Sequence, residues 1–160
     1  MTDYLWVRLL VITSMGCGLI GGLFFIFSNT IMSAFDRLPA GGAVAAMNSI
    51  NRVILNPVFF LAFFGTAVLC VVLLIVQMTR SSGTSGALVV TGALLYLIGS
   101  IGVTMVLNVP LNNKLAAVLP AAADMEAQWR AYRGPWTQWN HVRAVASLLS
   151  AALFALAIGR

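Results

Sequence analysis

Long apolar runs separated by short polar segments set the pattern along the chain. Four runs cover residues 5–34, 57–78, 86–109 and 138–158. Each reaches the roughly 20 residues that a helix needs to cross the hydrocarbon core of a bilayer. The segments between them carry most of the charged residues. The pattern predicts an all-α protein, a transmembrane four-helix bundle in which residues 1–160 form a single integral membrane domain.

Composition and charge agree with this prediction. The chain is 61% hydrophobic and only 8% charged, whereas soluble domains carry about 25% charged residues. The net charge of +5 is spread out and forms no nucleic-acid patch. Basic residues number three on the terminal side and six on the loop side, which favours termini facing away from the cytoplasm. If Arg52 and Arg143 serve the pocket and are left out, the count is three basic residues against four. That count favours neither orientation of the termini.

One asparagine stands at the same end of each predicted span. Asn29 and Asn108 close a span, whereas Asn56 and Asn140 open one. In an up-down-up-down bundle these four ends lie together. An amide side chain is costly at a lipid boundary unless its hydrogen bonds are satisfied. The four asparagines therefore predict a polar pocket at one mouth of the bundle.

The segments beside this mouth add further candidates. A short helix is predicted over residues 43–55, with Asn48, Asn51 and Arg52 on one face. Asn56-Pro57 is typical of a helix start, so Asn56 serves either as an N-cap or as a ligand-binding group. A polar ladder descends the third span, which is predicted to end at the proline-containing Asn108–Asn112 segment. The members of this ladder are Tyr96, Ser100, Thr104 and Asn108.

An interfacial helix is predicted over residues 122–133, in the loop before the fourth span. Its helical spacing places Met125, Trp129, Tyr132 and Trp136 on one face. Two interpretations stay open. The aromatic side chains form a belt at the headgroup level, or the helix is an amphipathic lid over the pocket.

A functional stripe is predicted at the start of the fourth span. Trp136, Trp139, Asn140 and Arg143 follow one another at steps of three and four. A central arginine costs ~2.5–3.5 kcal/mol on the insertion scale, so an intramembrane arginine suggests function unless it reaches the interface. Val142, Val145 and Leu149 lie opposite and are predicted to face lipid.

The chemical inventory excludes several classes of function. His141 is the one histidine, and none of the four acids falls in a predicted span. Di-iron and zinc sites need more ligands, so no metal site is predicted. A proton-coupled transporter usually has an intramembrane acid. His141 is either a general base or a capping or packing residue, since it lies about 100° around the helix from Asn140.

Several strings together resemble the anthrone oxygenase family of small four-helix membrane proteins, many of them bacterial. The similarity spans nearly the whole chain, although Ala144 replaces a threonine common in relatives. The strings are Phe27-Ser28-Asn29, Met47-Asn48-Ser49-Ile50-Asn51, Asn56-Pro57-Val58-Phe59, Asn108-Val109-Pro110-Leu111-Asn112, and Trp139-Asn140-His141-Val142-Arg143 with the upstream Trp129, Tyr132 and Trp136.

The resemblance implies an oxidoreductase of the bacterial inner membrane. Family members oxidise the central methylene of an anthrone with O2, without flavin or a dedicated metal. We therefore expect a membrane oxygenase for an anthrone- or hydroquinone-like aromatic, with no cofactor, although a single-histidine haem or copper site stays open. The alternative is a non-catalytic membrane protein that binds a quinone, a lipid or haem. Glycine-rich helix faces permit a homo-oligomer.

The hypothesised mechanism assigns roles to the candidates. His141 removes a proton from the substrate, and Arg52 or Arg143 stabilises the resulting anion. Electron transfer to O2 then leads through a hydroperoxide to the ketone and water. Asn140 is placed with His141 and Arg143 as catalytic. The predicted substrate-binding residues are Asn29, Asn48, Asn51, Arg52, Asn56, Asn108, Asn112, Trp136 and Trp139.

Overall fold

Helices make up nearly all of the fold. The computed structural model describes residues 3–80, 83–119 and 124–159. Its helices confirm the predicted all-α class, and they lie close to the positions expected from the hydrophobic pattern. They are α1 (Tyr4–Phe35), α2 (Ala40–Val53), α3 (Pro57–Gln77), α4 (Thr84–Ala116) and α5 (Met125–Ile158).

Four of these helices are long and apolar enough to cross a membrane, which indicates an integral membrane protein. Helices α1, α4 and α5 contain 32, 33 and 34 residues. At 1.5 Å per residue each approaches 50 Å, whereas a hydrocarbon core is only about 30 Å thick. The parts of α4 and α5 that exceed the thickness of the core therefore form a layer at the loop side, where α2 packs against them. This is the loop-side layer.

The four long helices form an antiparallel ring in which α1 and α4 each pack against both α3 and α5. Hydrogen bonds from side chains to backbone carbonyls cross the joints. The Tyr96 hydroxyl donates to Phe63 O at 3.0 Å between α4 and α3. Ser14 Oγ donates to Ala151 O at 2.8 Å between α1 and α5. Such bonds satisfy buried hydroxyl groups without using a charge.

Helices α1 and α5 approach closely at Gly21. A Cβ atom added to Gly21 would lie 2.8 Å from Leu148 Cγ and 3.1 Å from its backbone nitrogen. The expected Gly18/Gly22 pair is looser, since a Cβ on Gly18 would lie 3.9 Å from Ala151 and one on Gly22 would meet nothing within 4 Å. The close approach therefore depends on Gly21, because the two helices cross on that side of α1.

Helix α4 continues through Pro110, where the sequence predicted its end. Wide π-helical turns over Leu95–Gly102 and Thr104–Asn108 precede the proline. Proline lacks an N–H and clashes with the carbonyl four residues earlier. The wider turns, whose hydrogen bonds close over five residues, accommodate this clash and keep the helix continuous to Ala116.

Helix α5 likewise continues through Pro135, so the predicted interfacial helix is not a separate element. Residues 122 and 123 lie outside the described residues, and from Met125 onward the segment is the first part of α5. Trp129, Tyr132 and Trp136 are each 4% exposed. They pack among α1, α2 and α4 instead of forming an exposed belt, and this packing holds the helix together across the proline.

The loop-side layer is fixed by one cap and one ion pair. Of the two roles that the sequence left open for Asn56, the structure shows the N-cap of α3: its Oδ1 accepts a hydrogen bond from the Phe59 N–H at 3.0 Å. Asp36, at the end of α1, pairs with Arg133 at 2.5 Å and accepts from Trp129 Nε1 at 3.2 Å. These contacts connect the end of α1 to the start of α5.

Candidate functional site

A cavity of about 100 Å³ lies beneath the loop-side layer, at the mouth where the sequence predicted a polar pocket. All five helices contribute to its lining. Its aromatic wall consists of Phe24, Phe27, Phe59 and Trp136, and its polar side chains are Asn51, Thr104, Asn112, Asn140 and Arg143. Apolar walls with a few convergent polar groups are typical of small-molecule sites.

Arg143 is the charged residue of this cavity, and it is only 5% exposed. Its NH1 donates to Thr104 Oγ1 at 3.2 Å, and its NH2 donates to Asn140 Oδ1 at 2.5 Å. The guanidinium carbon lies 4.1 Å from the centre of the Phe24 ring and 5.3 Å from that of Trp136. Arg143 is thus buried and held by α4, α5 and two aromatic faces.

Asn140 fixes the orientation of this arginine and joins α5 to α1. Its Nδ2 donates to Phe24 O at 2.7 Å and to Ser28 Oγ at 2.5 Å. Its Oδ1 therefore points the opposite way, toward Arg143. Asn140 is 0% exposed, and its bonds set both the helix contact and the position of the cation.

The groups that accept from Arg143 are both neutral, which leaves its positive charge uncompensated at the cavity. In the described part of the chain, Arg133 pairs with Asp36 and Arg130 with Glu126, both in the loop-side layer. An ion removed from water costs several kcal/mol unless a partner offsets it. A fold that keeps a cation under these conditions favours an anionic partner from outside the protein.

Wide helical turns contain Thr104, which accepts from Arg143, and Ser28, which accepts from Asn140. Ser28 lies in a π-helical turn of α1 (Phe27–Ile31), and Thr104 begins one in α4. Such turns carry more residues than α-helical turns, so positions four apart lie closer to one face. Along the ladder of α4, Tyr96 contacts α3, whereas Thr104 and Asn108 contact α5. π-Helical turns are frequent at functional sites.

Five of the predicted site residues line the cavity together. They are Asn51, Asn112, Trp136, Asn140 and Arg143. The Tyr132 hydroxyl donates to Asn112 Oδ1 at 2.9 Å, and the Tyr132 ring lies 6.1 Å from that of Trp136. The sequence thus identified the cation Arg143, the Asn140 amide that orients it and one residue of the aromatic wall, Trp136.

The other predicted binding residues lie outside the lining. Asn29 and Arg52 are exposed, and Trp139 is 38% exposed. Three asparagines have structural contacts. These are Asn56 as the N-cap of α3, Asn48, which donates to Leu115 O at 3.4 Å, and Asn108, which donates to Trp136 O at 3.1 Å.

His141 is exposed on α5 and is not part of the cavity lining. It follows Asn140 directly, so the helix turns its side chain by about 100° from the buried face. Its role as a general base stays a prediction that this position does not support.

Phe24, Phe27 and Thr104 belong to the lining although the sequence did not place them among the site residues. Thr104 stood in the polar ladder of the third span, so the signal was present. Phe24 had none, because one apolar side chain in a membrane helix resembles another, and Phe27 appeared only in the family-like string Phe27-Ser28-Asn29. Their role depends on which α1 face meets Arg143.

The lining contains neither histidine nor cysteine, so a single-histidine haem or copper site would lie outside this cavity. Among the described residues, no three or more His, Cys, Asp or Glu side chains are grouped to hold a metal. Cys17 and Cys70 are buried free thiols within the bundle. The chemistry available at the cavity is that of a cation, amides, a hydroxyl and aromatic rings.

Comparison with known proteins gives one match. The sequence model of the anthrone oxygenase family matches residues 59–153, more than half of the chain. The matched part includes Thr104, Trp136, Asn140 and Arg143 at the cavity. No curated protein and no solved structure matches the chain.

Proposed function

Because the chain belongs to the anthrone oxygenase family, we propose that it is a membrane oxygenase acting at the Arg143 cavity. The substrate is an electron-rich aromatic, anthrone- or hydroquinone-like, and the oxidant is O2. The observation that carries the proposal is a buried guanidinium with neutral hydrogen-bond partners inside an aromatic wall. An anion and a planar ring are the partners that such a site accommodates.

The proposed reaction balances without a second reductant. For an anthrone-like substrate, an activated CH2 group and O2 give a C=O group and water. The substrate supplies four electrons, one oxygen atom enters the ketone and the other leaves as water. No cofactor is required for this balance, because the substrate anion itself passes the first electron to O2.

Arg143 supplies the electrostatic part of this proposal. A fixed cation in a water-poor site stabilises negative charge on a substrate oxygen more strongly than water does. Asn140 of α5, which is anchored to α1 through Phe24, holds the guanidinium on one side, and Thr104 holds it from α4. Because these bonds exist before substrate arrives, no reorganisation is needed when the anion forms.

The joint between α2 and α3 contains the most exposed residue of the cavity lining. Ile54 and Leu55 line the cavity there, and Leu55 is 62% exposed. A volume of about 100 Å³ is below the ~300 Å³ at which drug-sized ligand sites begin. We propose that this joint moves outward to admit a multi-ring substrate from the bilayer.

Isotope labelling tests the reaction. Purified protein in nanodiscs is supplied with an anthrone under ¹⁸O2, and the proposal expects one labelled oxygen in the ketone, one in water and equal molar consumption of O2 and substrate. A quinone that co-purifies and stays bound, with no O2 uptake above that of empty nanodiscs, would instead support the non-catalytic binding protein.

A further inference from the structure

The unpartnered polar atoms of the cavity residues are all hydrogen-bond donors. Arg143 Nε, Trp136 Nε1 and Asn51 Nδ2 are buried and have no acceptor among the described residues. Arg143 and Trp136 are 5% and 4% exposed. A buried donor without an acceptor costs about 1–3 kcal/mol, and more when it is charged. Such groups require an explanation, and a missing ligand is one.

Three acceptors of the same cavity are already occupied. Asn140 Oδ1 and Thr104 Oγ1 accept from Arg143, and Asn112 Oδ1 accepts from Tyr132. A ligand that offers only donors would therefore compete with these bonds. A ligand that offers acceptors would instead satisfy groups that the protein leaves unpaired.

This bias toward donors is local to the cavity. Among the described residues, the buried amide oxygens without a partner are Asn48 Oδ1 and Asn108 Oδ1. Neither residue belongs to the lining. Arg143 and Trp136 account for most of this excess of unpartnered donors over acceptors, because a guanidinium and an indole N–H can only donate.

We propose that the cavity binds its ligand as an aromatic oxyanion, a phenolate or enolate, in preference to the neutral phenol or ether. The negative oxygen accepts from Arg143 and Trp136 Nε1, and the ring lies against Phe24 and Phe59. This inference deepens the proposed function by naming the ionisation state in which the substrate binds. It concerns binding alone and is tested without turnover.

The aromatic wall separates this ligand class from other anions. Aliphatic carboxylates and lipid phosphates would meet the same cation, but they would leave the faces of Phe24, Phe27 and Phe59 without a flat partner. They also carry a stronger hydration shell than a phenolate, whose charge is delocalised. The cavity therefore favours an aromatic anion over these two.

The test uses 4-nitrophenol, a single-ring probe whose phenolate form absorbs in the visible. The protein in nanodiscs is titrated with the probe at several pH values, and 4-nitroanisole, the methyl ether of the probe, serves as the neutral analogue that cannot ionise. The wild type is expected to bind the phenolate saturably and at least about tenfold more tightly than the phenol or the ether. Acetate and decanoate test the aliphatic anions.

Substitutions of cavity residues test whether the phenolate binds in the cavity. Arg143→Met is expected to remove the preference for the phenolate, and Trp136→Phe to weaken phenolate binding several-fold while 4-nitroanisole binding is unchanged. Val145→Ala, on the exposed side of the same helix, serves as the matched control. If Arg143→Met does not fold, Arg143→Lys and Trp136→Phe carry the test.

Three results would overturn the inference: no saturable phenolate binding, equal binding of phenolate and ether, or a preference that survives in Arg143→Met. Decanoate binding as tight as that of the phenolate would overturn its aromatic part. Phenolate selectivity combined with no O2 uptake would leave the inference standing and remove the oxygenase. The two claims are therefore separable.

Discussion

Arg143 is the residue whose replacement is expected to lower activity without lowering stability. Its guanidinium is buried, its two described hydrogen-bond acceptors are neutral, and its Nε has no partner among the described residues. An ion without a charged partner costs several kcal/mol to remove from water, which exceeds the about 1–3 kcal/mol for leaving the Asn140 amide oxygen without its donor. We therefore expect Arg143→Met to fold with an unchanged or raised thermal midpoint, measured by scanning fluorimetry in nanodiscs. A large drop would mean that the cation is structural.

His141 provides a second prediction at this scale. His141→Gln is expected to retain the wild-type rate of O2 uptake with an anthrone, because the imidazole is exposed and outside the cavity. The rate is measured across the pH range in which histidine titrates. A general base contributes about 10²–10⁴-fold, so a loss of that size would restore His141 as the base.

The sequence identified the residues whose signals are local. Asn56 precedes a proline, and that pair alone predicts the N-cap that the structure contains. Arg143 and Asn140 were found because ionisable and amide groups are rare within apolar runs. Phe24 could not be found in this way, since its role depends on which side of α1 faces Arg143.

At the scale of the helices, the contact between α1 and α5 holds the site together, because Asn140 reaches across it to Phe24 and Ser28. Gly21→Ala would place a Cβ against Leu148, including its backbone nitrogen. Overpacking of this kind costs typically 1–3 kcal/mol. We expect a lower unfolding free energy, measured by denaturant titration in micelles, and a reduced O2 uptake rate.

Gly22→Ala is the matched control for this substitution. It lies on the same helix one residue later, and an added Cβ there meets nothing within 4 Å. We expect it to be neutral or slightly stabilising, because alanine is the better helix former. Equal losses for both variants would show that glycine flexibility, instead of the close approach to Leu148, determines the effect.

Helix ends were the least predictable elements. By local sequence rules, Pro110 and Pro135 each predict a helix boundary. In the structure, both lie inside continuous helices. Two non-local causes explain the difference: the wide turns before Pro110 and the packing of Trp129, Tyr132 and Trp136 around Pro135. Neither can be read from a window of neighbouring residues.

For the whole molecule, the antiparallel ring places the two loop-side connections opposite the turn between α3 and α4. Single cysteines at Arg37 and at Met78 are expected to react with a membrane-impermeant maleimide from opposite sides. Cys17 and Cys70 are 0% exposed and give no background. Labelling of both positions from one side would contradict the four-span topology.

The loop-side layer connects this topology to function. Helices α1, α4 and α5 extend beyond a bilayer core, and α2 packs across their ends through Val44 and Met47. The cavity therefore lies at the depth where the bundle meets the layer. Under the proposed function, a lipophilic substrate enters at that depth from the bilayer, and the buried Arg143 meets it away from bulk water.

The most direct measurement is steady-state O2 consumption with an anthrone, comparing the wild type, Arg143→Met and Val145→Ala in nanodiscs of matched protein content. If Arg143 stabilises the substrate anion, Arg143→Met should lose about 10²–10³-fold in kcat, the usual effect of removing one oxyanion donor. Val145→Ala should keep the wild-type rate. A folded Arg143→Met protein that turns over at the wild-type rate would show that the oxidation does not take place at this cavity.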